Sequence, residues 1–415
     1  MMTQAFYTGI SGIKSNQYAI DVVSDNIANI STVGFRGSEY EFASLFEESI
    51  NTSASTNSSI GAGSRFQATA IKTNQGVLAI SDQSTDLAIL GEGWFGVQGV
   101  GEPVYTRDGT FTFDANSDLV SLEGFHVLGT MGGNIAGKVL TSQVYETALG
   151  NVEAQESLNF PETLTFPVQP TTEATFIGNL GDIDEIRGMS AGVIDPEGSI
   201  NNLKLTFTRT VPQVIPGSQW DVVATTESLD GLTTYDTQTG NLTFSATGDM
   251  LSNTLTSINN NGANVNITFP SGFAGLIANK SDIAASSSAD GLIAGDLIGY
   301  EVNKNAEVIA TFTNGEQSSV GKIAVYHFQN DKGLERLNGA KFQESQNSGA
   351  PIFYKDEAGN NIIGTDIVNF RLEGSNIDMT YGLTELIVLQ RSYDANSKSV
   401  TTADQMMQKA LNMDA

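Results

Sequence analysis

Residues 8–36 read TGISGIKSNQYAIDVVSDNIANISTVGFR, and the apolar spacing in and beside this stretch sets the reading of the whole chain. Phe6, Ile13, Ile20 and Ile27 recur every seven residues, with Ile10, Gln17 and Ser24 interleaved. That 3–4 alternation is the pattern of a coiled-coil seam. The far end of the sequence repeats it. Met379, Leu386, Tyr393, Val400 and Met407 form one apolar row, and Leu383, Gln390, Ser397, Asp404 and Leu411 alternate with them. Polar seam positions lower stability but restrict register and partner choice. At about 1.5 Å per residue, helices over 3–28 and 377–412 span about 39 and about 54 Å. Two readings of the pattern stand: amphipathic helices packed on their own domain, or a pairing surface for other chains. Helices this long, at opposite ends of the sequence, favour the second.

Charge and proline are partitioned to match. The chain has 415 residues, with 47 acidic against 20 basic, a net of −27. Residues 1–34 carry only −1 and residues 377–415 only −2, leaving −24 between them. All nine prolines lie between Pro103 and Pro351. Repulsion is therefore smallest at the two helical stretches, as a polymerising surface requires. So acidic a body repels phosphate backbones and anionic membrane surfaces, which excludes nucleic acid as a partner. No cysteine is present, so disulfides and thiolate chemistry are excluded. No run of 18 apolar residues occurs, so no membrane insertion is expected. The opening MMTQAFYTGISGIKSNQ lacks a basic start followed by an apolar run, so it does not read as a cleavable signal.

Between the helices the period changes. Residues 51–64, NTSASTNSSIGAGS, read as a linker. From Ile71 short runs such as LAIL (87–90), WFGV (94–97) and FTF (111–113) alternate with turn residues. NLKLTFTRT (201–209), GNLTFSA (240–246) and NVNITF (264–269) alternate with period two, as antiparallel strands with one wet face do. The small-residue stretch SDIAASSSAD (281–290) follows, and strands resume at EVIATFTNG (307–315) and KIAVYHF (322–328). The expected fold is mixed and mainly β. Long N- and C-terminal α-helices form a coiled-coil-like core domain, with nested antiparallel β domains between them. The expected boundaries are 1–34 (N-terminal helix), 35–70 (linker or extended segment) and 71–140 (first half of a β domain). Then come 141–285 (inserted outer β domain), 286–365 (second half of the first β domain) and 366–415 (C-terminal helix).

Several motifs look chemical. Residues 91–96 spell GxGxxG, but the residues after them are β-type, where a dinucleotide site needs a helix opening at the glycines. Asp114, Asn116 and Asp118 open like a calcium loop, yet Leu119 and Phe125 stand where it needs Gly and Glu. Asx turn capping is the reading there. His126 and His327 lie in strand-like segments without triad partners. The acidic pairs Asp182/Asp184 and Asp356/Glu357 read as solvated loop charge. No catalytic, cofactor-binding or metal-ligating residue is assigned, and an enzyme is not expected.

The terminal stretches resemble those of the bacterial flagellar hook and rod proteins. In 8–36 the resemblance lies in an NNIAN-type box, here Ser24 to Asn29 with Asn26, Ala28 and Asn29, followed by Thr32, Gly34, Phe35 and Arg36. Asp25 stands where the family usually has Asn. At the other end, 373–411 carries the run Ser375, Asn376, Asp378, Gln390, Arg391, Tyr393, Ala395, Asn396, Lys398, Thr402, Asp404 and Met406. LAILGEGWFGVQ (87–98), 104–129 and 321–351 resemble the family's shared β domain, whereas 140–285 matches nothing. Length points to the hook branch, since rod members are shorter. The resemblance implies a helical homopolymer, a flexible tube passing torque from rod to filament outside the cell. Its subunits would pass the flagellar type III export apparatus with an uncleaved signal. Distal rod, hook cap and hook–filament junction proteins would be its neighbours. The assembly core would comprise Phe6, Ile10, Ile13, Ile20, Ile27, Met379, Leu383, Leu386, Tyr393, Val400, Met407 and Leu411. A large distal rod or hook-associated protein is the alternative within the family, and a secreted acidic β-rich adhesin the alternative outside it.

The charge partition makes assembly depend on salt. Exposed charges are screened over about 10 Å at 0.1 M salt and about 3 Å at 1 M. Added sodium chloride is therefore expected to raise the polymer pelleted from purified protein. Less pellet at high salt means that intersubunit ion pairs, not the neutral helices, hold the polymer.

Overall fold

The computed structural model describes residues 2–45, 48–49, 59–60, 63–99, 101–182, 185–213, 217–272 and 275–413. Two long helices enclose a chain of strands. Helix α1 (Met2–Ala28) contains no proline and ends where Asn29 folds back, its side-chain amide donating to Asp25 O at 2.9 Å. Strand β1 (Ser38–Ser44) and strand β2 (Ser64–Ile71) follow, paired antiparallel from Ser38↔Ile71 to Ser44↔Ser64. This hairpin lies on α1: Ser15 Oγ donates to Ser64 O at 3.1 Å, and the Tyr18 and Phe66 rings sit 5.3 Å apart. The expected linker 51–64 lies outside the described residues except at 59–60 and 63–64. Helix α2 (Met379–Met413) starts at an N-cap, where Asp378 Oδ1 accepts Tyr381 N at 3.0 Å.

Two β bodies stand between the helices, each with its own core. The first core gathers Trp94, Phe95, Phe111, Phe160, Phe312 and Ile323 among its buried residues. Early and late segments are woven together there, through the pairs Val325↔Phe95, Gly129↔Ile323 and Ile367↔Ile89. The GxGxxG stretch is a turn entering the strand Trp94–Gln98. Gly91 and Gly93 take φ of +112° and +120°, open chiefly to glycine. A Cβ on Gly96 would fall 2.2 Å from the Tyr326 ring, so close strand packing, not a phosphate, requires that glycine. Asp114 Oδ1 accepts the amides of Asn116 and Asp118, the expected Asx turn. Asp356 likewise caps Asn360, while Asp184 lies outside the described residues.

The second core gathers Phe176, Phe207, Trp220 and Phe244. Five successive strands form one antiparallel sheet: Arg187–Ile194, Ile200–Arg209, Ser218–Ser228, Thr234–Phe244 and Met250–Asn253. Ile200–Arg209 alternates buried and open residues, as its sequence period requires. Three corrections arise in this region. Leu149, Leu158, Phe160, Leu164 and Phe166 pack in the first core, so residues 141–166 do not belong to the insert. The small-residue stretch does not end the second body, because Ala284–Ala289 pairs with Glu173–Asn179 as an edge strand. The insert is also not wholly antiparallel, since Glu173–Asn179 runs parallel to Ala263–Thr268. A turn-rich sequence shows where strands are but not which strand each one meets.

His327 tests the first core. It is buried, its ring stacks on Tyr354 at 4.1 Å, and Nε2 lies 2.7 Å from Ile363 O. A carbonyl only accepts, so Nε2 carries the proton of a neutral ring. Burial holds its pKa below the usual imidazole value. The stabilising preference for the neutral ring is complete above about pH 6.5, the value in an unfolded chain, and is lost as pH falls through the depressed folded value. The melting temperature followed by circular dichroism is expected to drop between pH 7 and 5. His327→Gln is expected to flatten that drop, and an unchanged slope refutes the assignment.

Candidate functional site: the helix pair and its charged junction

Helices α1 and α2 pack antiparallel, with Gly9 near Val400, Gly12 near Asn396 and Ile27 near Gly382. Contact is close because those positions lack side chains. A Cβ on Gly9 would sit 2.6 Å from Val400 Cγ2, and one on Gly12 2.8 Å from Asn396 Nδ2. Ala19, Val23 and Leu389 form the buried centre of the seam, with Ile20, Ile27 and Leu386 against it. The large apolar rows singled out in the sequence lie beside this seam or away from it. Phe6, Ile10, Ile13, Ile20, Ile27, Leu386, Val400 and Met407 are half-buried. Met379, Leu383, Tyr393 and Leu411 are exposed, Leu411 to 72%. Glycine and alanine let the two backbones approach, and Val23 and Leu389 fill the space between those close points. The missed signal was a second seven-residue row, Gly382, Leu389, Asn396 and Ala403, whose mixture of small, apolar and polar residues an apolar count does not register as one row. Gln390, Arg391 and Ala28 are exposed, and Asn396 is half-buried in the seam.

The helix pair meets the first β body at a three-way junction, and the terminal motif residues build it. Asn26 clamps β1, its Oδ1 accepting Ser38 N and its Nδ2 donating to Ser38 O, both at 2.8 Å. Thr32 donates to Asn29 Oδ1 at 3.2 Å and shapes the turn. Gly34 has φ +67°, and a Cβ there would lie 2.3 Å from Asp108 N. Phe35 is buried under the Arg336 guanidinium, 4.7 Å from its ring centre, and Arg336 also donates to Arg36 O. Asn376, in the segment between the returning strand and α2, accepts Gly37 N at 2.8 Å and donates to Lys72 O and Asn74 O at 2.9 Å.

At the centre Glu373 joins Arg36 at 2.8 Å and Arg107 at 3.2 Å, all three side chains almost fully buried. Glu373 also accepts Gly76 N at 2.8 Å, while its main-chain oxygen accepts Gly34 N at 2.7 Å. Arg36 donates to Asn74 O, and Arg107 donates to Gly91 O at 2.7 Å. Burial, with repulsion from Arg36 added, lowers the Arg107 pKa to about 10, against the opposing pull of Glu373. Arg107 therefore stays charged at neutral pH. Burial likewise raises the nearby Asp331 carboxyl above its usual range, a shift that Arg107 opposes. Neither Glu373 nor Arg107 was singled out in the sequence, because nothing local marks an acid and a base 266 residues apart as partners.

This arrangement joins the two ends of the sequence into one helix pair, with β bodies strung between them and apolar rows left open along the pair. Three family descriptions match in order along the chain: Flagella basal body rod protein over 6–36, Flagellar hook protein FlgE/F/G D1 domain over 88–178, and Flagellar basal body rod FlgEFG protein C-terminal over 369–413. The flagellar hook protein FlgE of Borreliella burgdorferi is 27% identical over 99% of this chain and the whole of that protein. The FlgE of Escherichia coli is 26% identical with the same coverage, and that of Brucella suis 29% identical over 98% of each chain. The crystal structure of Helicobacter pylori flagellar hook protein FlgE2 shares the fold, with TM-score 0.56 and 16% identity over 71% of this chain and all of that one. Along nearly its whole length the chain is thus similar to bacterial flagellar hook proteins.

Removing the shared acid is expected to break the junction. Glu373→Ala leaves two buried guanidinium groups without their carboxylate, a loss of about 3–5 kcal/mol. Urea unfolding followed by tryptophan fluorescence measures it. A midpoint shift no larger than that of the exposed Asp356→Ala change refutes the central role of Glu373.

Proposed function

We propose that this chain is the structural subunit of the bacterial flagellar hook, a helical homopolymer forming a flexible tube that carries torque from rod to filament. One observation carries the reading. The helix pair leaves Met379, Leu383, Ile387, Val388 and Leu411 exposed beside half-buried Phe6, Ile13 and Ile20. Large apolar residues in rows along a near-neutral pair suit burial between copies. The helix pair then forms a coiled-coil-like inner core, and the acidic β bodies form the outer layers. The expected division at 34, 70, 140, 285 and 365 is kept in order, with the insert redrawn to about 171–290 to follow its own core.

The same reading places the chain in the hook outside the cell, exported through the flagellar type III apparatus without cleavage. Its neighbours there are the distal rod, hook cap and hook–filament junction proteins. The role is architectural rather than enzymatic. Similarity to hook proteins along nearly the whole chain disfavours a rod protein or an adhesin.

Leu383→Asp tests it at a position 45% exposed in the monomer. The variant is expected to melt like the unaltered chain, because a carboxylate there stays hydrated. It is expected to pellet little polymer, because burial between copies strips that water away. Polymer at the unaltered level refutes an assembly role for this row.

A further inference from the structure

A pocket of about 400 Å³ opens in the first β body, with no wall from either terminal helix. Glu102, Glu153 and Glu344 line it and are exposed, and no base lines it among the described residues. Its buried wall holds Tyr105 and Tyr326, only 3% and 2% exposed. Tyr105 is the middle residue of the strand Val104–Thr106, paired with Gly96 on one side and Phe342 on the other. Gly96 has no side chain, so the Tyr326 ring lies against that strand and meets the Tyr105 ring edge to face at 5.3 Å. Phe328 packs 4.8 Å from Tyr105, and Phe353 5.1 Å from Tyr326. Phenylalanine would serve this packing as well, so the two hydroxyls need another reason. Among the described residues neither hydroxyl makes a hydrogen bond, and none of the three carboxylates enters an ion pair. Burial, and then the charges of Glu344 and Glu102, raise the Tyr105 hydroxyl above the usual phenol range. Burial, and then Tyr105, do the same to Tyr326. Both phenols are therefore neutral at physiological pH, and that of Tyr105 lies within the field of the two acids that line the pocket.

We propose that this pocket binds a primary alkylammonium group, held by Glu102 and Glu344 and by the hydroxyl oxygens of Tyr105 and Tyr326. Charge selects a cation, because three acids face the space and no described base does. The unpartnered hydroxyls select a cation that carries N–H donors, since a buried acceptor gains most from a charged donor. Geometry selects ammonium. Its three N–H bonds diverge and can reach carboxylates and phenols on separate walls, whereas guanidinium donors lie in one plane. A metal ion is disfavoured, because no group of three or more His, Asp or Glu side chains is placed to hold one among the described residues. Pro103 and Pro351 line the pocket as well and suit an alkyl chain. The size falls within the range of about 300–1,000 Å³ usual for small-ligand sites. A free diamine and a lysine side chain of a second copy present the same group, and the site itself does not depend on the hook reading.

The test uses the full chain as a monomer at low salt, with n-butylammonium as the probe and saturation transfer from protein to probe read by proton NMR. Saturable transfer with a dissociation constant of about 1 mM is expected. Tetramethylammonium, which has the charge but no N–H, is expected to bind about tenfold more weakly. Glu102→Gln with Glu344→Gln, both exposed, is expected to abolish transfer and leave melting unchanged. Tyr105→Phe with Tyr326→Phe keeps the rings and is expected to weaken binding about tenfold. Transfer that does not saturate, equal binding of tetramethylammonium, or undiminished binding by either double variant overturns the site. Pelleted polymer separates the two sources. Carbodiimide links from Glu102 or Glu344 to a lysine of another copy, with transfer to the probe lost, assign the site to a second copy. Unlinked carboxylates with transfer retained assign it to a free amine, and either result supports the site.

Discussion

Glu373 holds three separate parts of the chain in one place. Arg36 arrives from the end of the N-terminal stretch, Arg107 from the first β body, and Glu373 from the strand that returns to α2. Buried ions add little net stability, because desolvation offsets most of their attraction. Their effect is on specificity. Any arrangement that separates them leaves a charge in a medium that cannot solvate it, so loosened alternatives are penalised far more than the native one is favoured. The direction in which the helix pair leaves the β body depends on that contact. The main-chain bond from Gly34 to Glu373 and the Asn376 clamp on Gly37 reinforce it.

The helix pair follows a different logic. Its seam is narrow because Gly9, Gly12 and Gly382 let the backbones come close, and narrowness displaces the large apolar residues to the flanks. A wider seam built on Phe6, Ile13 and Ile20 would have buried those half-buried side chains within one chain. Within the chain the seam thus combines small residues at the points of closest approach with Val23 and Leu389 between them.

The β bodies carry most of the negative charge. Many of their carboxylates are tied down locally. Asp195, which burial alone would raise, is held low by bonds from Asn261, the Ser199 amide, Asn201 and the Glu197 amide. Such groups stabilise the insert above the ordinary carboxylate range, and that contribution is lost as the pH falls through their depressed values. Acid therefore acts on the two parts in opposite ways. It relieves repulsion between copies while it loosens the turns of the body.

Much was legible in the sequence because it rests on local chemistry. Helix needs a 3.6-residue period without proline, strands need period two between turn residues, and Asp114 acts within a few residues of its own position. The seven-spaced rows of Phe6 to Ile27 and Met379 to Met407 also marked both helices as surfaces meant to be covered. What covers them, and which residues meet inside one chain, was decided only in three dimensions. Small residues such as Gly12 and Ala19 signal nothing by hydrophobicity, yet they set the seam, because closeness depends on the absence of atoms. Arg107 and Glu373 have no local partner, and residues 141–166 join the first core rather than the insert, because pairing over hundreds of residues follows from the whole fold. Sequence determines local conformation through forces that act over a few residues. Only tertiary structure brings a distant acid to two bases.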